Sequence, residues 1–134
     1  MTFWFRINPD ARFSDGMHVT ADDVLATWDL QMDETILEPS AQLVYGKFEP
    51  FKESKYIVRV ECKKLSWRNL LYFGGMAILP AHILDELDGS EYLEEYQFKM
   101  MPGSGPYTIH TDDIVNQESF ILTRRTDYWA SERR

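Results

Sequence analysis

A chain of 134 residues with 14 Lys and Arg against 22 Asp and Glu carries a formal charge of −8, which repels phosphate backbones and anionic headgroups and excludes nucleic acid as a partner. Its hydrophobic content of 44% and aromatic content of 14% can sustain one core and exclude wholesale disorder, but the size leaves no room for two lobes with a cleft between them. The longest apolar run, Leu70 to Leu79, contains Gly74 and Gly75 and falls well short of the ~20 residues that cross a bilayer; the lone Cys62 can form no internal disulfide.

Phe3, Phe5 and Ile7 alternate with Thr2, Trp4 and Arg6, which predicts an opening strand that Asn8-Pro9-Asp10 interrupts. Beyond Ser14-Asp15-Gly16, Thr20 followed by Asp23 forms a near capping box and predicts a helix from Ala21. Val24, Leu25, Trp28 and Met32 recur at helical spacing along it, with Asp22 and Asp23 at its favourable end, and it is expected to stop before Pro39. Lys47–Glu53 and Tyr56–Lys63 predict a hairpin around Ser54-Lys55; Tyr56, Val58, Val60 and Cys62 share one face, as in a half-buried antiparallel sheet. Pro80 suits the first turn of a short helix from Ala81 to Leu87, and Ser90 is expected to cap another through Tyr96. Tyr107–His110 and Ser119–Arg125 read as two further strands around Asp112-Asp113. Strands and helices mix without regular alternation, so the predicted class is α+β, a mostly antiparallel sheet with flanking helices.

No constellation for catalysis emerges. His18, His82, His110 and Cys62 include no pair within five residues of each other, whereas zinc sites usually contain one, and no metal or cofactor is expected. Gly103-Ser104-Gly105 lacks the spacing of a nucleophile elbow and reads as a turn, and no phosphate-binding glycine pattern occurs. The adjacent carboxylates Asp22-Asp23, Glu94-Glu95 and Asp112-Asp113 point apart on helices and strands and read as solvated faces. The chain is therefore not expected to be an enzyme.

Three stretches together resemble solute-binding protein family 5, the oligopeptide-, dipeptide- and nickel-binding proteins. The run from Thr2 to Val24 is similar to the family's strand, its F-S/H-D-G-x-P-V-T-A-x-D-V loop and the following helix; Gly103-Ser104-Gly105-Pro106-Tyr107 is similar to its G-T/S-G-P-Y element; Arg124-Arg125-Thr126-Asp127-Tyr128-Trp129 is similar to its R-N-P-x-Y-W element. His18 stands where the family usually has Pro, and Arg125-Thr126 replaces the usual Asn-Pro.

The resemblance implies part of one lobe of a two-lobed periplasmic-binding-protein-like fold, with residues 1–101 as the small subdomain and 102–134 as the re-entry into the first lobe. It implies a periplasmic or extracellular receptor, secreted or lipid-anchored, that closes around a peptide or similar solute and delivers it to an ABC permease in the membrane. By approximate position it places Tyr45, on a loop from Ser40 to Tyr45, and Gly75 and Met76, at the bend after Gly74, near the ligand cleft. Packing inside the subdomain core is the competing role for these residues. The opening directly on a strand, without a signal peptide, and the short end after Trp129 lead to the expectation of an internal fragment able to associate with itself through uncovered sheet edges. A stand-alone protein-interaction or small-ligand-binding domain is the alternative.

Overall fold

The computed structural model describes residues 1–96, 99–115 and 117–132. The opening alternation forms β1 (Thr2–Arg6), with Phe3 and Phe5 turned inward and Trp4 exposed. α1 (Ala21–Met32) starts at the expected cap: the Asp23 carboxylate accepts the Thr20 backbone N–H at 2.6 Å. β2 (Phe48–Ser54) and β3 (Ile57–Cys62) are the expected hairpin, with a register shift between Lys52 and Ser54. β3 lies at the centre of an antiparallel sheet ordered β1-β3-β2.

One face of this sheet is buried. Phe48, Val58, Val60 and Cys62 pack with Ala21 and Val24 of α1, joined by the partly buried Phe3, Phe5, Leu25 and Trp28. Phe73 inserts its ring 5.5 Å from that of Phe5 and 5.4 Å from that of Phe48. Aromatic pairs at such separations add to the hydrophobic gain of burial. A second cluster holds Ala11, Phe13 and Val19, and a third Leu30, Ile36 and Leu84.

Several elements differ from the sequence reading. The helix from Ala21 ends at Met32, and a 3-10 turn (Glu34–Ile36) follows. The helix from Ala21 thus stops before Pro39 as expected, and Pro39 itself starts a separate helix, because at the first helical position its missing N–H costs nothing. The segment expected as a loop from Ser40 to Tyr45 is thus α2 (Pro39–Tyr45). A short α3 (Asn69–Gly74) precedes the bend at Gly75.

α4 covers only Ala81–Leu84, short of Leu87. α5 (Gly89–Tyr96) is capped by Asp88 and not by Ser90: the Asp88 carboxylate accepts the backbone N–H groups of Ser90 and Glu91, both at 2.9 Å. The late strands shorten to β4 (Tyr107–Thr108), β5 (Ile114–Val115), β6 (Ser119–Phe120) and β7 (Thr123–Arg124), paired β4-β7 and β5-β6. The expected strand from Ser119 to Arg125 divides because its two ends face different partners, with a 3-10 turn at Thr111–Asp113 between β4 and β5.

Candidate functional site

Two places gather the residues singled out by sequence. The first is where α2 packs on α3. Tyr45, the last residue of α2, is half-buried against the main core, and its carbonyl accepts the Trp28 indole N–H at 3.2 Å. Met76 is buried in the same cluster. Gly75 is exposed and closes α3 by donating its N–H to the Leu71 carbonyl at 2.9 Å. A Cβ on Gly75 would lie 2.9 Å from that carbonyl oxygen, closer than real Cβ contacts, so the bend requires glycine. Leu43 of α2, Leu65 and Trp67 ahead of α3, and Leu70, Leu71 and Tyr72 of α3 present apolar side chains to solvent.

The second place is the meeting point of the three loop motifs. In the first, Gly16 adopts φ +90°, the left-handed region that glycine enters without strain, and its N–H reaches the Phe13 carbonyl at 3.0 Å. Asp15 accepts the Met17 N–H at 3.0 Å and pairs with His82 Nε2 of α4 at 2.8 Å. His18 directs Nδ1 to the Pro9 carbonyl at 2.9 Å. In the second motif, the Gly103 carbonyl accepts the Ser14 N–H and the Ser104 carbonyl accepts the Trp129 indole N–H, each at 2.9 Å. The third motif supplies Arg125, whose buried guanidinium is held by Asp127. The hydrogen bond from Arg125 keeps the Asp127 carboxyl below the usual carboxylate range.

An open cleft of about 420 Å³ lies beside this junction, lined in part by Ser14, Met100, Met101, Gly103, Tyr107 and Leu122. Tyr45, Gly75 and Met76 do not line it. Sequence reasoning singled out Arg125 only as a replacement within a motif; the carboxylate two residues on was the available signal.

The three histidines stand apart, on the Pro9 carbonyl, on Asp15 and at the head of the Thr111–Asp113 turn. Among the described residues no group of three or more His, Cys, Asp and Glu is placed to hold a metal ion, and no helix is long and apolar enough to cross a membrane. An antiparallel sheet with flanking helices, fastened by interlocking loops, is the architecture of part of a periplasmic-binding-protein lobe.

Residues 1–134 match the family of bacterial extracellular solute-binding proteins, family 5 (middle), and the chain belongs to that family. Among curated relatives it is 33% identical over 130 residues to the peptidoglycan-binding protein YepA of Agrobacterium fabrum, covering 96% of this chain and 20% of the relative. The oligopeptide-binding protein AppA of Bacillus subtilis, solved in complex with a nonapeptide, superposes with a TM-score of 0.76 at 27% identity, covering 96% of this chain and 25% of AppA. A periplasmic oligopeptide-binding protein of Thermotoga maritima, solved with bound mannohexaose, shares the fold with a TM-score of 0.74 at 16% identity, over 98% of this chain and 24% of its own. The chain thus spans about a fifth of the length of the curated relatives it matches.

Proposed function

We propose that this chain is one segment of the substrate-capturing receptor of an ABC importer, and that the receptor holds a peptide or peptide-bearing solute non-covalently between two lobes. The observation that carries this is the agreement of the whole chain with the solute-binding family, at the level of sequence and of fold. YepA is named for peptidoglycan binding and AppA was solved with a nonapeptide, which favours peptide-bearing solutes. The receptor works outside the cytoplasmic membrane, secreted or lipid-anchored, and passes its cargo to a membrane permease.

Residues 1–101 form the small subdomain and residues 102–134 re-enter the first lobe, a division supported by the separate sheets on either side of it. Tyr45 and Gly75 face the ligand from the ends of α2 and α3, with Met76 packed behind them; the exposed apolar side chains on these elements support this placement. Capture of this kind needs shape, apolar contact and hinged closure but no nucleophile or metal.

The test is thermal denaturation of the full-length protein that contains this chain, with pools of di- to pentapeptides, peptidoglycan fragments or free oligosaccharides. A peptide-bearing pool at a hundred times its Kd should add about 2.7 kcal/mol of stability and raise the melting temperature. A response to free oligosaccharides alone would overturn the assignment to peptide-bearing solutes. No response to any pool would overturn the receptor reading.

A further inference from the structure

The three loop motifs are distant in sequence and converge on one side chain. Arg125 has a side chain only 4% exposed, and a buried guanidinium is tolerable only when its donors are met. Nε and Nη2 donate to the two oxygens of Asp127 at 3.0 and 3.2 Å. Nη1 donates to the Gly103 and Gly105 carbonyls at 3.4 and 3.3 Å, and Nη2 also reaches the Phe13 carbonyl at 3.3 Å. Its backbone N–H donates to the Pro106 carbonyl at 2.9 Å. Asp127 is 66% exposed, so the neutralising charge comes from the solvent side while the cation sits inside.

This arrangement constrains geometry more than it adds adhesion. A guanidinium is a rigid planar fork, so carbonyls bonded to its separate arms must hold fixed positions relative to one another. An ammonium is a point donor on a flexible stem and imposes no such plane. Burial does little to fix the same relation, because Val115 of β5, Phe120 of β6, and Ile121 and Leu122 between β6 and β7 are exposed. Beyond the clasp, the Trp129 ring ties this part of the chain to the cluster of Ala11, Phe13 and Val19.

We propose that Arg125 is a positioning residue that fixes the bearing of strands β4, β5, β6 and β7 relative to the β1-β3-β2 sheet. In the receptor proposed above, on which only this consequence rests, that bearing sets how the neighbouring lobe is presented to the ligand.

The experiment places spin labels on Glu49→Cys, exposed in β2, and Glu118→Cys, exposed between β5 and β6, in a Cys62→Ala background of the full-length protein. Distance distributions are recorded without ligand for the parent, Arg125→Lys and Asp127→Asn. Arg125→Lys keeps the charge and loses the fork; its distribution should at least double in width. Asp127→Asn alters only a solvent-exposed partner, decides the matter if the lysine variant fails to fold, and should also broaden it. Peptide affinity should fall about tenfold, within the usual span of coupling energies. A lower melting temperature with unchanged distances in the folded variants would mean that Arg125 only stabilises, and would overturn the proposal. If the parent protein binds no peptide, the receptor reading fails while the distances still decide the role of Arg125.

Discussion

The carboxylate of Asp23 accepts the backbone N–H of Ala81 at 2.8 Å across 58 residues of chain, and the same side chain accepts the N–H of Thr20 at the head of its own helix. One turn further along α1, the buried Thr27 hydroxyl accepts the Leu79 N–H at 2.9 Å. Two polar residues at helical spacing therefore fasten the segment before α4 to α1 and satisfy main-chain donors that would otherwise be buried unpaired.

Asp23→Ala should destabilise the chain by about 2 to 4 kcal/mol, combining a lost cap with an unsatisfied buried donor. Asp23→Asn, which keeps one acceptor oxygen, should cost roughly half as much. Combined with Thr27→Val, the alanine variant should depart from additivity, since both side chains hold the same segment. Urea denaturation of the parent, Asp23→Ala, Asp23→Asn, Thr27→Val and the double variant provides the values; strict additivity would mean that the two contacts act independently.

Cys62 is buried on the inner face of β3, opposite Phe48. Buried thiols behave as small hydrophobes and react slowly. A thiol reagent should label it only at the rate of unfolding, with labelling accelerating in step with added urea. Rapid labelling in native buffer would show that the β2-β3 edge opens locally.

Trp28 is half-buried in the main core and donates its indole N–H to the Tyr45 carbonyl, so it joins α1 to the end of α2. Trp28→Phe should cost about 1 kcal/mol for the hydrogen bond, and Trp28→Ala about 2 to 4 kcal/mol, towards the lower side for large core truncations because the ring is only partly buried. Chemical denaturation distinguishes the two. Equal losses would assign the whole effect to the hydrogen bond.

Asp33 and Asp88 are both held below the usual carboxylate range. For Asp33 the leading cause is the Thr35 hydroxyl, followed by the N–H groups of Thr35 and Gly89; for Asp88 it is the Glu91 N–H, followed by the Ser90 hydroxyl. A depressed folded pKa contributes stability above the unfolded value and loses it as pH falls through the folded one. The region of Leu30, Ile36 and Leu84 should therefore loosen below about pH 4. Hydrogen exchange at Gly89, Ser90 and Glu91 should rise there, and Asp33→Asn with Asp88→Asn should flatten that rise. Exchange that is independent of pH in that range, after correction for its intrinsic rate, would contradict this assignment.

The features legible in the sequence are those encoded locally. The alternation of Phe3, Phe5 and Ile7 set β1, Thr20 and Asp23 set the start of α1, and the inward run of Val58, Val60 and Cys62 set the buried face of β3. α2 and α3 were not legible, because helices of seven and six residues depend on packing more than on their own pattern. Pro39 reads as a stop or a start depending on which side the chain folds. Tyr45, Gly75 and Met76 were singled out by likeness of position, and their shared place at the ends of α2 and α3 depends on contacts between segments. Asp127 two residues on signals the ion pair of Arg125 but not its wider role, because the Phe13 carbonyl it reaches lies 112 residues away.

The most direct test of the receptor reading is calorimetry of this 134-residue chain and of the full-length protein against the same di- to pentapeptide pools. Solute sites typically bury 70 to 90% or more of the ligand, and one wall of such a site must still meet an association cost of about 4 to 15 kcal/mol. The isolated chain should give no heat of binding, while the full-length protein should respond to at least one pool. Micromolar binding by the isolated chain would contradict capture between two lobes and identify a self-sufficient binding domain.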